Sequence, residues 1–240
     1  MSLLRRCLAI GVLMTAGAQR GRAQAADSLT ADQRTAIDNG RLVFLTWDVG
    51  GSPWPRACAY QHIDAMPEEA AAVFTNYDRH LAFIPKLRKS TISRVIDPVT
   101  AEVDYTLSVP IVADEHYTVR DHLSTYNGGA SYKIDWTLVR ATSTKATEGS
   151  VRFEPRRSDK TLREGTLMAY CNLVTPGSRL AKLSFIRSKA MAQVREAAGA
   201  IVVEVERERA ANRALLDAEI RTLRSALLAQ LPHAAGPDSF

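Results

Sequence analysis

The sequence lacks any apolar run long enough to cross a bilayer. Its longest, CLAIGVLMTAGA at positions 7–18, is about a dozen residues, against the roughly 20 that a spanning helix needs. It also lacks a Gly-rich phosphate loop, a G-x-S-x-G elbow and an H-E-x-x-H pair, the signatures of nucleotide binding, serine hydrolysis and zinc proteolysis. Cysteine is scarce, at three residues, and Cys58 and Cys171 offer no zinc spacing, so neither a metal nor a cofactor is expected. There is no internal repeat and no low-complexity stretch. An excess of positive charge is missing too, once its location is considered. Four of the 31 basic residues (Arg5, Arg6, Arg20 and Arg22) precede position 25, where no acid occurs, leaving 27 against 26 acidic residues. A basic footprint for nucleic acid is therefore absent from the rest of the chain.

Those first residues carry a processing signature. MSLLRR is a positive leader, the apolar run follows, and Ala23-Gln24-Ala25 fits a small-x-small cleavage site. Residues 1–25 are expected to direct export, to the periplasm or beyond, or to remain as an anchor if uncleaved. Export would put Cys58 and Cys171 in an oxidising compartment. Two readings stay open for them: small buried apolar residues, or a disulfide joining the first and last strands of the domain.

The period of the apolar pattern then organises the chain. LTADQRTAIDNG predicts a short helix with Thr30 as cap, Gln33 three residues on, and Asn39-Gly40 as stop. RLVFLTWDV and WPRACAYQHIDA read as strands separated by Gly50-Gly51-Ser52-Pro53. Pro67, followed by Glu68 and Glu69, suits a helix's first turn, and the helix runs to about Thr75. A second short helix from about Asp78 to Phe83 must stop before Pro85. EVDYTLSVP, HYTVRDHL, YKIDWTLV, SVRFEP and TLMAYCNL alternate apolar and polar residues, the mark of antiparallel strands with one hidden face. In the last of these, Leu167, Ala169, Cys171 and Leu173 share that face. After Pro176-Gly177 the period becomes helical, with Phe185, Ile186, Met191, Val194, Ala197, Ala198, Ile201 and Val205 along one stripe.

A strand, two short helices, a run of antiparallel strands and a long last helix is the order of the helix-grip fold. IDAMPEEAAAVFTNYDRHLAFIPKLRKSTI resembles the START-like (SRPBCC, polyketide cyclase/coenzyme Q-binding) superfamily, in which strand-D-A-x-P-E-E is followed by an aromatic, a D/N-Y pair and F-x-P. EGSVRFEP is similar to that group's G-S-W-x-F/L-E-P strand, with Val151 in place of the usual tryptophan. The resemblance spans about residues 54–206. It implies an α+β fold, a curved antiparallel sheet wrapped around the long C-terminal helix. Four segments follow: a leader at 1–25, an extension at 26–53, a ligand-binding domain at 54–209, and an amphipathic helix with a loose tail at 210–240.

Members of that group enclose a cavity between sheet and helix. Its lining would be Phe83, Tyr105, Leu107, Tyr117, Val119, Tyr132, Trp136, Phe153, Met191 and Val194, unless these side chains simply fill a solid core. Phe74, Tyr77, Leu81 and Ile84 would form its gate, held by Pro67 and Pro85. Asp121 breaks the alternation of its strand, and either faces the cavity or reaches water through a bulge. His62, His80, His116 and His122 read as surface residues, and Asp78 as a helix cap or an acid. The expected partner is a hydrophobic small molecule, a lipid, sterol, hopanoid or quinone, with transient membrane contact. Self-association through the seam of Leu216, Ile220, Leu223 and Leu227 is the alternative to that helix packing on its own domain. The resemblance equally accommodates a cyclase or dehydratase, or an interaction module with a vestigial pocket.

Overall fold

The computed structural model describes residues 29–108, 114–157, 164–177 and 184–230. The leader at 1–25, Val109, Leu231 and the tail HAAGPDSF lie outside the described residues. Helix α1 (Ala31–Asp38) starts at the capping box that Thr30 and Gln33 announce: Gln33 N–H donates to Thr30 Oγ1 at 3.2 Å, and Thr30 N–H to Gln33 Oε1 at 2.8 Å. Strands β1 (Val43–Trp47) and β2 (Arg56–Ile63) follow. Next come α2 (Pro67–Thr75), a single 3₁₀ turn at Tyr77–Arg79, and α3 (His80–Phe83). Proline opens α2, and Glu69 accepts the Met66 N–H at 2.8 Å, satisfying one otherwise free donor at the helix start. Ile84 is extended ahead of Pro85, which ends α3.

The remaining strands are β3 (Leu87–Asp97), β4 (Thr100–Leu107), β5 (Glu115–Tyr126), β6 (Ser131–Ala141), β7 (Thr144–Arg157) and β8 (Glu164–Pro176). Among the described residues the eight strands make one antiparallel sheet in the order β1-β2-β8-β7-β6-β5-β4-β3. The β5–β6 connection is the Asn127-Gly128-Gly129 turn, whose three residues all take positive φ, which is why glycine recurs there. Helices α4 (Ser184–Ala211) and α5 (Arg213–Gln230) complete the α+β helix-grip arrangement.

The sheet is buried on both faces at one end. A main cluster on its concave face gathers Ala59, Ile63, Val103, Ile134, Phe153 and Met168 with Ala198, Ile201 and Val205 of α4. A second cluster on the convex face gathers Leu29 and Ile37 of the α1 segment with Cys58, Tyr60, Leu167, Ala169 and Cys171. The face of β8 that carries Leu167, Ala169 and Cys171 is therefore hidden, but beneath α1 rather than beneath the long helix. Met168, Tyr170, Asn172 and Val174 are the residues that look inward. Cys58 and Cys171 sit directly opposite each other on β2 and β8, with Cα atoms 4.1 Å apart, and are joined as a disulfide. The Asp38–Arg156 ion pair at 2.7 Å fastens α1 to β7, so residues 29–53 are integral to the sheet.

Helix α5 also belongs to the body. Leu216, Ile220 and Leu223 are buried, and α5 packs along α2, where Arg213 pairs with Glu69 and Arg224 with Glu68. The proposed self-association seam thus faces its own domain, because α2 would otherwise leave an apolar face uncovered. On the stripe of α4, Phe185 departs from the expectation and is 45% exposed, in the first turn of the helix.

Candidate functional site

Helix α4 approaches the sheet mainly at β2. Ala59 of β2 and Ala198 of α4 belong to the same buried cluster, and such small side chains let the two backbones come close. Across β4, β5 and β6 the inward side chains are tyrosines and a tryptophan, and the helix stands away. The space between is a cavity of about 310 Å³, at the lower end of the range for small-molecule sites. Its wall is mostly apolar: Trp54, Phe74, Ile84, Leu107, Val119, Trp136 and Val174 on one side, Ile186, Met191, Val194, Ala197 and Ile201 of α4 on the other. Gly149 is part of the construction. A Cβ there would lie 2.3 Å from the Trp136 ring and 2.6 Å from the Cys171 carbonyl, so only glycine lets Trp136 lie flat across β7.

Of the ten expected lining residues, Tyr105, Leu107, Tyr117, Val119, Trp136, Met191 and Val194 line this cavity. Phe83, Tyr132 and Phe153 do not. Phe153 is fully buried beneath Phe74, their rings 6.1 Å apart, because α2 lies over that end of β6 and β7 and fills it. Tyr132, opposite Phe153 in register, is covered by the same helix. Phe83 packs its ring against His80, 5.4 Å away. The expected gate divides likewise. Ile84 and Phe74 line the wall, but Phe74 is a buried core residue packed on Tyr77, Trp136 and Phe153. Tyr77 is buried beside it, its carbonyl accepting the Ser90 hydroxyl at 2.5 Å. Leu81 is 48% exposed and off the cavity.

Two polar residues carry the site's chemistry; the sequence misplaces His80 on the surface and leaves Asp121 open between cavity and water. His80 is buried on the wall, not on the surface. Its Nε2 lies 2.7 Å from the Phe74 carbonyl oxygen and its Nδ1 3.1 Å from the Tyr105 hydroxyl, with the His80 and Tyr105 rings stacked. Burial pushes its pKa down to about 4, so the ring is neutral at physiological pH. Asp121 keeps the inward parity of Tyr117, Val119 and Leu123. The irregularity beside it lies in β6, where Val139 is the extra residue between the partners of Thr118 and Val119. Asp121 is 3% exposed, its Oδ2 has no hydrogen-bond partner, and burial alone raises its pKa to about 8.

Tyr105, Tyr117 and Tyr170 add hydroxyls to the wall, which also carries Thr147, Asn172 and Gln193, and burial pushes the pKa of all three tyrosines upward. Near the opposite end, Glu115 accepts from the Ser143 and Thr144 backbones at 3.0 and 2.9 Å, a structural clasp of the β6–β7 turn. Asp78 is neither cap nor cavity acid, since it accepts the Ile92 N–H at 2.9 Å. His116 and His122 point outward, to the hydroxyls of Thr106 and Thr100.

No family model and no curated protein matches the chain. Among solved structures, the chain is similar to a STAR-related lipid transfer protein from Xanthomonas axonopodis. That likeness has 11% identity and a TM-score of 0.59, over 68% of this chain and 93% of that one. It is similar to human STARD10 at 10% identity, TM-score 0.60, over 80% and 79% of the two chains. An aromatase/cyclase from a Streptomyces species matches at 14% identity, TM-score 0.50, over 72% and 98%. At these identities the likeness is one of fold.

Proposed function

We propose that this chain, which has the helix-grip fold of START-type domains, binds and carries a hydrophobic small molecule of the lipid, sterol, hopanoid or quinone kind. The observation that carries this reading is the cavity itself, closed by α4 on one side and walled mostly by apolar side chains. Ten buried methylene groups would contribute roughly 8 kcal/mol, the free energy of micromolar binding, before ordering costs are subtracted. The name of one structural neighbour, a lipid transfer protein, favours the same class. We further propose that the chain acts after export, where the Cys58–Cys171 disulfide would persist. The exposed Phe185 beside Arg187 and Lys189, at the start of α4, suits transient contact with a membrane as cargo enters or leaves.

A cyclase or dehydratase would need an acid and a base converging on substrate. Asp121 faces the cavity, but both nitrogens of His80 are engaged by Phe74 and Tyr105, which leaves the carrier reading ahead. The test is to fill the space. Ala197 lies on the cavity face of α4, and Ala197→Trp is expected to weaken binding of a fluorescent fatty acid at least tenfold. The cost in stability should stay within the roughly 1–3 kcal/mol of an overpacked core. Unchanged affinity in a folded Ala197→Trp protein would place the ligand elsewhere and end this reading.

A further inference from the structure

Two polar groups on the cavity wall, His80 and Tyr105, have a fixed hydrogen-bond direction. The Phe74 carbonyl oxygen, 2.7 Å from His80 Nε2, is an acceptor only, so Nε2 carries the ring's proton. The neutral ring then presents a lone pair at Nδ1, and the Tyr105 hydroxyl 3.1 Å away must donate to it. The single hydrogen of Tyr105 is thereby turned into the wall, and its oxygen offers the cavity only lone pairs. Asp121 adds a second unmet demand from the neighbouring strand. Its Oδ2 is buried on the same wall with no partner, a state that costs free energy until a ligand answers it.

We infer that the polar end of the ligand is an uncharged hydroxyl, inserted first, donating to the acceptor-only oxygen of Tyr105 and lying against Asp121. This deepens the carrier reading and rests on it. A ketone or quinone carbonyl has only lone pairs: it can accept from a protonated Asp121 but meets lone pairs at Tyr105, whereas a hydroxyl can answer both. A carboxylate would have to shed its hydration inside the apolar enclosure, and the lysine on the wall, Lys189, belongs to the first turns of α4. An ammonium group would have to shed its hydration and create an ion pair inside an apolar enclosure. Burial supports the uncharged choice, holding His80 neutral and Asp121 protonated at neutral pH.

The experiment is displacement of a fluorescent fatty acid from the full chain by probes with one tail and different heads: tetradecyl alcohol, the methyl ketone of equal length, tetradecylamine and tetradecanoate. The alcohol should displace at least tenfold more tightly than the ketone or the amine, the range expected when a buried acceptor is left unanswered. Tyr105→Phe should erase most of that preference while the ketone's affinity stays the same. His80→Phe should free the Tyr105 hydrogen to point inward, so that the ketone gains affinity relative to the alcohol; a merely structural role for His80 would weaken both probes together. Equal affinities for all four heads in the parent protein, or an undiminished alcohol preference in Tyr105→Phe, would overturn the inference and leave the apolar cavity standing. So would tightest binding by the amine or the carboxylate. Failure of the fluorescent fatty acid and of every other probe to bind would overturn both readings.

Discussion

Asp121→Asn unfolds at a higher urea concentration than the parent chain at pH 8, and the two converge near pH 4. The reason is linkage. Asp121 is deeply buried, and the loss of hydration of its carboxylate raises its pKa from 3.8 to about 8. The charged groups and hydroxyls facing it offer no relief, since its electrostatic neighbours are Tyr77, Tyr105, Tyr117 and Tyr170. An acid whose folded pKa is raised binds more protons folded than unfolded, so stability falls as pH climbs between the two values. A displacement of that size corresponds to on the order of 5 kcal/mol at pH 8 and above. Asparagine has nearly the same shape and no such slope. Urea midpoints of both proteins at pH 4, 6 and 8 measure it. A variant less stable than its parent at pH 8 would mean that Asp121 has a partner in the empty cavity. Its gain in stability should come with loss of alcohol selectivity, the usual exchange at a site built for a ligand.

Arg79→Met should have the largest destabilising effect. Arg79 lies in the 3₁₀ turn beside the cavity wall, where it pairs with Glu219 at 2.9 Å, Glu204 at 3.2 Å and Glu208. Those carboxylates come from α4 and α5 and are 7% exposed or less. Asn76 adds a hydrogen bond to Glu219 at 2.8 Å, and Arg207 one to Glu204 at 2.6 Å. Burial and the proximity of Glu219 hold Glu208 up at about 7 even with Arg79 present. Removing the arginine strands three buried acids against the more exposed Arg207, a loss of about 3–5 kcal/mol for a broken buried pair. The deficit should shrink as pH falls to 5, because protonated glutamates no longer need the cation. Chemical denaturation at pH 8 and pH 5 reads both parts. A loss below about 0.5 kcal/mol at pH 8 would reduce the cluster to a surface contact. Because this turn leads directly into His80, the variant should also bind apolar probes more weakly.

The fold was legible wherever one face of an element is wet. The capping box at Thr30 and Gln33, the proline bounds of α2 and α3, and the alternation of β4, β5 and β6 each transfer from sequence to structure with little change. Strand β3 was missed for the converse reason. It is the sheet's edge, all but Leu87 and Ser90 of it exposed, so burial imposes no alternation for the eye to find. Strand β8 was assigned the wrong inward face because it is apolar on both, and only the position of α1 decides which side meets α4. Five of the lining residues followed from strand alternation, and Met191 and Val194 from the helical period. Phe153 and Tyr132 did not, because the reach of α2 across the sheet is a tertiary fact with no local signal. His80 could have been suspected from its place between Phe74, Tyr77 and Phe83. Its direction of donation, and hence the preference of the site, needs the carbonyl of Phe74 and the hydroxyl of Tyr105 in space.

The central claim is an apolar cavity that holds a ligand, and native mass spectrometry of the full chain, purified without detergent after export, tests it most directly. The account predicts a second mass peak for a one-to-one complex with an apolar molecule. That peak should be removed by solvent extraction, restored by adding tetradecyl alcohol, and absent from Ala197→Trp. A single unliganded mass that stays unchanged after incubation with tetradecyl alcohol, fatty acid, sterol and quinone would contradict it.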